Sequence, residues 1–183
     1  LAHLERVTAE ESFLAILRNL EAIGAAGAAL AVIRERVPDH EPEPAVFDLA
    51  VRFLSALDTG APPEEALLSL HIQVLAHLGF SPTLDRCVHC GKAPPAGRSA
   101  SFDASRGGIV CRACGGGYLV LGAEALRRWI VAQREGGFPE APWPDKDCTQ
   151  IRDALATLDE NHATSSVRER TSAAHQPWEG RPS

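Results

Sequence analysis

The sequence predicts a mainly α-helical protein: a helical bundle with an inserted small β module of the zinc-ribbon type. Three observations predict it. Apolar residues recur at helical spacing through the first eighty residues, two Cys-x-x-Cys pairs follow in a stretch without that spacing, and helical spacing returns after Gly122. We therefore expect a helical domain over 1–80, a four-cysteine zinc module over 81–121, returning helices over 122–160 and a loose tail over 161–183.

The first predicted helix begins at a capping box, Thr8-Ala-Glu-Glu11, in which each end of the motif bonds an amide of the other. A Gly/Ala-rich segment over 24–29 follows, small enough for another helix to approach closely. It leaves two alternatives, a break near Gly24 or one long helix with a close-contact patch. The large apolar residues expected on the first helix face are Phe13, Ile16, Leu17, Leu20 and Ile23.

Two more helices complete the predicted antiparallel bundle. Prolines at 38, 42 and 44 mark a connector, and the second helix ends at Gly60. Pro63 is well placed at a helix start and Gly79 at a helix end. The residues expected on the apolar faces are Val46, Phe47, Ala50, Phe53, Leu54 and Leu57 in the second helix and Leu67, Leu70, Val74, Leu75 and Leu78 in the third.

The remaining elements are shorter. Strands are expected over 100–103 and 109–111, forming a hairpin around Arg106-Gly107-Gly108. A helix containing Trp129 should stop near Gly136-Gly137. A proline-rich link over 139–144 then leads to a last helix around Ile151–Leu158.

The four paired cysteines predict a zinc site. Cys87 and Cys90 are separated from Cys111 and Cys114 by twenty residues, and two such pairs complete a tetrahedron of thiolates. Four thiolates leave no open position for water, so this zinc is expected to be structural and to stabilise a segment poor in apolar residues. His89 as a replacement ligand is one alternative and a redox Cys-x-x-Cys is another, but a redox pair needs a βαβ unit that the pattern lacks.

Composition and charge restrict the class of protein. Five cysteines, four of them paired in this way and Cys148 outside the pattern as a free thiol, favour a reducing cytoplasm over a disulfide framework. The longest apolar run, over 22–33, is twelve residues, well short of the roughly 20 that cross a bilayer. The chain has no methionine, so we expect a piece of a longer protein that lacks its start.

Charge is unevenly distributed along the chain. The net charge is −6, but residues 1–80 hold five basic against twelve acidic side chains, and residues 86–134 hold eight against two. The basic stretch is expected to face phosphates or an acidic peptide. A solvated basic surface is the alternative.

The sequence indicates a binding protein and not an enzyme. His71 and His77 are six residues apart, which does not place both on one helix face. The paired glutamates lie at helix starts, where the helix dipole accounts for them. We find no phosphate-binding glycine loop, nucleophile elbow or metal-plus-base motif.

The segment LGFSPTLDRCVHCG, Leu78–Gly91, resembles the junction between the helical domain and the zinc module of the RecO family of bacterial recombination mediators. The segments EPAVFDL (Glu43–Leu49) and SFD (Ser101–Asp103) are similar to the same family. The likeness covers roughly residues 5–135.

The resemblance implies a DNA repair and recombination mediator located in the bacterial cytoplasm, at the nucleoid. Such a protein binds single- and double-stranded DNA and anneals complementary strands. It works with RecR to load RecA onto DNA coated by single-strand-binding protein, whose acidic, apolar-ended tail it binds on the helical domain. The family begins with an OB-fold domain that this sequence lacks, so strand annealing by this chain alone is in question.

Two arginines are the candidate contacts for DNA or the acidic tail. Arg127 and Arg128 lie beside Trp129, and we hypothesise that they bind phosphates or carboxylates. The alternative is that both are solvated arginines of an amphipathic helix with Trp129 in the core. For the whole chain, the alternative function is a zinc-ribbon protein-interaction scaffold that does not bind DNA, and a zinc-dependent enzyme requires one of the four sulfurs not to be a ligand.

Overall fold

The computed structural model describes residues 12–37 and 42–173, and the side chains of 163–173 are not described. Five α-helices and one three-stranded antiparallel sheet lie in this part of the chain, so the predicted fold class is confirmed. The chain divides into two compact units, Leu1–Phe80 with Val131–Pro144, and Ser81–Ile130 with Asp145–Ser183. In the described ranges, no helix combines the length and apolar character needed to span a membrane.

Three helices form the first unit: α1 (Leu20–Arg36), α2 (Pro44–Asp58) and α3 (Pro63–His77). Helix α3 is the central element and packs against both α1 and α2. Its buried side chains cover most of its circumference, as expected for a helix with neighbours on several sides. The buried members of this core include Leu49, Phe53, Leu57, Leu70 and Val74.

Helix α1 begins later than the sequence predicted. A short 3₁₀ turn at Ile16–Arg18 precedes it, and Asn19 caps it by accepting hydrogen bonds from the amides of Glu21 and Ala22 at 2.9 and 3.2 Å. An asparagine at this position satisfies amides that have no partner inside the helix. The predicted continuous apolar face from Phe13 to Ile23 is therefore wrong, and the capping box at 8–11 lies outside the described residues.

Helix α1 passes through Gly24 without a break, which decides between the two alternatives in favour of one long helix. Its buried side chains are Ala22, Ala25 and Ala29, whereas Leu20 is 84% exposed. The close-contact patch is thus built by alanines, because small side chains let α1 approach its neighbours. The glycines of this segment have open space around them.

Helices α2 and α3 end in the same hydrogen-bonded turn. At the end of α3, Gly79 has a φ of 80° and the amide of Phe80 donates to the carbonyl of Leu75 at 2.8 Å. At the end of α2, Gly60 has a φ of 95° and the amide of Ala61 donates to Ala56. Both are Schellman caps, so the predicted helix ends at Gly60 and Gly79 are confirmed.

The proline-rich link is part of the first unit and is held by specific contacts. The ring of Phe138 packs edge-on against Phe53 with centroids 5.6 Å apart. The Gln73 amide donates to the carbonyl of Gly137 at 2.8 Å, and the Trp143 amide donates to the buried Glu65 carboxylate at 2.9 Å. These contacts make the link an ordered loop on α3.

The second unit contains the sheet, with strands β1 (Ala100–Asp103), β2 (Gly108–Ile109) and β3 (Leu119–Leu121) in the order β2-β1-β3. Phe102 pairs with Ile109 on one side and Leu119 on the other. The β1–β2 hairpin was predicted, with β2 placed one residue too late, but β3 was not. Its three residues are too few to show a strand pattern.

Two helices follow the sheet in the described residues: α4 (Ala123–Arg134), which belongs to the second unit up to Ile130, and α5 (Asp145–Ala173). Trp129 on α4 packs against Phe102 with ring centroids 5.7 Å apart. Helix α5 is much longer than the predicted Ile151–Leu158 because it begins at Asp145 and its helical backbone continues past Leu158 into a polar segment. It also passes residue 161, the predicted start of the loose tail, while residues 174–183 lie outside the described part.

Candidate metal centre

Each cysteine pair forms a tight turn around its own sulfurs. In the first turn, the amide of Gly91 donates to the carbonyl of Cys87 at 2.9 Å, and Gly91 has a φ of 73°. In the second, the amide of Cys114 donates to the carbonyl of Cys111 at 2.9 Å, and Gly115 has a φ of 99°. The glycines occupy the left-handed conformation that lets each turn fold back on its cysteines.

Backbone pairing brings the two turns together. The amide of Val88 donates to the carbonyl of Ile109 at 3.0 Å, and Thr83 forms a parallel bridge to Gly108. A Cβ atom at Gly108 would lie 2.3 Å from the Thr83 carbonyl oxygen. The first turn can therefore lie against β2 only because residue 108 has no side chain.

The four Sγ atoms of Cys87, Cys90, Cys111 and Cys114 lie within 4.8 Å of one another. The Sγ atoms of Cys90 and Cys111 are 3.7 Å apart. A tetrahedral zinc with Zn–S bonds of about 2.3 Å separates its sulfurs by about 3.8 Å. The cluster thus has the size and the donor set that a tetrahedral metal ion requires, and these four cysteines could bind one.

The environment of the sulfurs favours thiolate at one position and opposes it at another. The backbone amide of Cys111 donates to Sγ of Cys87 at 3.4 Å, which lowers the pKa of the Cys87 thiol from 9.0 to about 6. Hydrogen bonding to the Cys111 thiol raises the pKa of Cys114 to about 12. Four thiolates this close repel one another, and a divalent cation is the charge that permits all four together.

The other cysteine and histidine candidates of the sequence are not members of this cluster. His89 is exposed. Among the described residues, the side chains close enough together to hold a metal ion are the four cysteines, and His89 is not one of them. Cys148 is buried in α5 and forms no disulfide. His71 and His77 are on α3, half-buried and exposed respectively.

The two candidate arginines both form ion pairs. Arg127 donates through Nε and Nη2 to the Glu124 carboxylate at 3.0 and 2.9 Å, and this pairing lowers the pKa of Glu124. Arg128 donates to the Asp147 carboxylate at 3.1 Å. Trp129 is completely buried.

A groove on the first unit was not expected from the sequence. Phe13, Ala45, Phe47 and Val51 provide its apolar lining, and Asp48, Arg52 and His77 its charged and polar lining. The apolar periodicity of α2 predicted Phe47 on its buried face, but this side chain is 69% exposed. The buried stripe of α2 consists of Val46, Leu49, Phe53 and Leu57. A sequence prediction limited to this narrower apolar stripe would have placed Phe47 on the solvent side of the helix.

Comparison with known proteins links this architecture to one family. Residues 17–170 match the family model described as Recombination protein O C terminal. A DNA repair protein RecO of Anaeromyxobacter sp. (strain K) is 35% identical over 165 residues, which are 87% of this chain and 64% of that protein. The same-named protein of Geobacter metallireducens is 34% identical over 147 residues, 79% of this chain and 57% of that protein.

A third relative, the DNA repair protein RecO of Myxococcus xanthus, is 39% identical over 103 residues, 56% of this chain and 41% of that protein. The chain thus spans somewhat less than two thirds of the length of these relatives. The family match extends through the helical unit, the cysteine module and α5. This chain therefore belongs to the Recombination protein O C-terminal family.

Proposed function

We propose that this chain is the helical and zinc-binding part of a DNA repair and recombination mediator that acts by binding and not by catalysis. The observation that carries the proposal is the family match over 17–170, with relatives named DNA repair protein RecO. For the whole protein we propose binding of single- and double-stranded DNA and annealing of complementary strands. With RecR, it would help load RecA onto DNA coated by single-strand-binding protein, at the nucleoid in the bacterial cytoplasm.

Zinc, in this proposal, has a structural role. Cys87, Cys90, Cys111 and Cys114 are its four ligands, and a closed set of thiolates leaves no position for a reacting water. The metal would hold together two turns that the short strands β1 and β2 support with few hydrogen bonds. When bound, it supplies cross-linking of these turns and no chemistry on a substrate.

The groove on the first unit is the proposed site for the acidic, apolar-ended tail of single-strand-binding protein. Phe47 and Val51 offer apolar contact, Arg52 offers positive charge for carboxylates, and His77 adds a polar side chain. Asp48 is the carboxylate in the lining, so the tail's acidic residues would lie toward Arg52. Replacing Phe47 by Ala should weaken binding of the tail peptide and leave DNA binding unchanged.

Arg127 and Arg128 remain proposed contacts for phosphates or for the acidic tail. Their ion pairs with Glu124 and Asp147 would have to open, which lowers the gain from any new contact. Reversing both charges tests the proposal. Unchanged affinity for both DNA and the tail peptide would show that the two arginines serve only their ion pairs with Glu124 and Asp147.

The first experiment is a titration of this chain against labelled single-stranded DNA and against the tail peptide at several salt concentrations. A longer protein that also carries the family's N-terminal OB-fold domain is titrated in parallel. If the protein contacts phosphates, the logarithm of the DNA affinity should fall linearly with the logarithm of the salt concentration. Tail binding by the chain, with DNA binding strengthened by the added domain, supports a mediator. Absence of DNA binding by both forms, with peptide binding retained, supports the alternative of a protein-interaction scaffold.

A further inference from the structure

The outer face of the sheet carries an exposed aromatic side chain that the fold does not use. Tyr118 is 94% exposed and Val120 is 56% exposed. They alternate with Leu119 and Leu121, which turn toward the core, so both lie on the face opposite that core. The strand order β2-β1-β3 makes β3 an edge strand, and Ser101 pairs with Val120 beside it.

Within the module over 81–121, most charged side chains are positive. The module over 81–121 contains two carboxylates, and both are engaged: Asp85 by Arg86 at 3.6 Å and Asp103 by Arg106 at 3.4 Å. The exposed cations of the module without a carboxylate partner among the described residues are Lys92, Arg98 and Arg112. A ligand that approaches this face therefore meets cations and an aromatic ring, while both carboxylates of the module are already paired.

The cations flank both ends of β3. Arg98 lies just before Ala100, which pairs with Leu121 at one end of the strand. Arg112 lies in the second cysteine turn, which leads through the glycine segment 115–117 to Tyr118 at the other end. Arg106 is close to that segment as well, since its Nη1 donates to the Cys114 carbonyl at 3.2 Å.

We propose that this outer face binds single-stranded DNA, with Tyr118 stacking on a base and Arg98 and Arg112 contacting the flanking phosphates. Proteins that hold single strands combine a cationic path with exposed aromatic rings, because every base has a face on which a ring can stack. A paired base is not available for such stacking, so the site discriminates single strands from duplex. The inference rests on the proposed function, and it assigns the DNA contact to particular residues of this chain.

The test uses the full 183-residue chain and a fluorescein-labelled 30-nucleotide dT oligomer. Tyr118→Ala should weaken binding roughly 5- to 150-fold, the range found on removing one base-stacking ring. Tyr118→Phe should stay within about twofold of the parent because it keeps the ring. On an abasic oligomer of equal length, Tyr118→Ala should have no effect, since that ligand has phosphates but no bases.

Two further readouts separate ligand contact from a structural role. Replacing Arg98 and Arg112 by Gln should reduce the slope of log affinity against log salt by about 1.4, at about 0.7 for each phosphate contact on a single strand. Arg34→Gln, at an exposed arginine of the first unit, is the matched control and should leave the slope unchanged. Tyr118 is the sole tyrosine, so tyrosine-selective labelling gives one ring signal, which should move upfield when a base stacks on it.

Four results would overturn the inference. The first is that Tyr118→Ala binds dT as tightly as the parent, and the second is that it loses equal affinity for dT and for a blunt duplex. The third is that Tyr118→Ala weakens binding of the tail peptide and not of DNA. The fourth is that the parent chain does not bind dT at 50 mM salt. Parent binding to dT that survives Tyr118→Ala removes this site and leaves the proposed function intact. If the parent binds neither DNA nor the tail peptide, both this site and the proposed function are refuted. Phe47→Ala completes a crossed design, because it should affect the tail peptide alone.

Discussion

Gly117 lies where the second cysteine turn passes over β1, and its replacement by alanine is a direct test of how the module is packed. A Cβ atom at this position would lie 2.3 Å from the carbonyl oxygen of Phe102 and 2.4 Å from its carbonyl carbon. Carbon and oxygen atoms normally approach no closer than about 3.3 Å, so the segment or the strand must move by roughly 1 Å. The atoms in contact belong to the backbone on both sides, so no flexible side chain can move to relieve the contact.

The cost follows from what such a movement breaks. Phe102 pairs with Ile109 and with Leu119, so displacing it strains the ladder on both sides of β1. Overpacking costs about 1–3 kcal/mol. Weakening one or two ladder hydrogen bonds adds about 0.5–1.5 kcal/mol each. We expect Gly117→Ala to lower the free energy of unfolding by roughly 2–5 kcal/mol, a large part of the 5–15 kcal/mol typical of a domain.

Urea unfolding of the metal-loaded protein measures this change, and amide hydrogen exchange in β1 and β3 locates it. Gly24→Ala is the matched control because a Cβ there meets nothing within 4 Å. In the interior of α1 it should stabilise the protein by about 0.5–1 kcal/mol. The packing argument is refuted if Gly117→Ala unfolds within about 0.5 kcal/mol of the parent with unchanged exchange in β1. Equal destabilisation by both variants would refute it too, because the effect would then not depend on the contact.

Three further outcomes are expected. Cys111→Ser should reduce bound zinc, measured by atomic absorption, well below one per chain, and it should speed proteolysis of the module. Cys148→Ser is the control and should retain full metal. Equal zinc in both variants would exclude Cys111 as a ligand. Asn19→Ala should lower the free energy of unfolding by about 1 kcal/mol in urea titrations, and Asn19→Asp should restore most of it, because an aspartate also accepts from the first amides of α1. Phe138→Ala should cost about 1–3 kcal/mol in the same assay, because the ring is partly buried against Phe53, and no change would show that the 131–144 loop does not stabilise its unit.

The metal cluster was the most predictable feature of this protein. The turns at Cys87–Cys90 and Cys111–Cys114 are closed by hydrogen bonds between residues three to five apart, so short sequence motifs specify them. The family resemblance rested on the same segment and is confirmed by the match over 17–170. Zinc in the cluster stays a proposal that the metal analysis of Cys111→Ser addresses.

The exposed and buried sides of α1 and α2 were less predictable. Leu20 and Phe47 have the size and polarity of core residues, yet both face solvent, while alanines of α1 are buried. Periodicity identifies a helix and the width of its apolar stripe, but the choice among large and small residues depends on how close the neighbouring helix comes. That distance is a property of the packed unit and not of the segment.

Local pattern was sufficient for the helices, for their ends at Gly60 and Gly79 and for the two cysteine turns, because each is closed by hydrogen bonds between residues near in sequence. Only the tertiary structure decided strand β3, the groove around Phe47 and the exposed face around Tyr118. Strand β3 exists through its pairing with β1, nearly twenty residues earlier, and that pairing turns Leu121 inward and Tyr118 outward. Surfaces of this kind arise from long-range contacts, which sequence spacing alone does not specify.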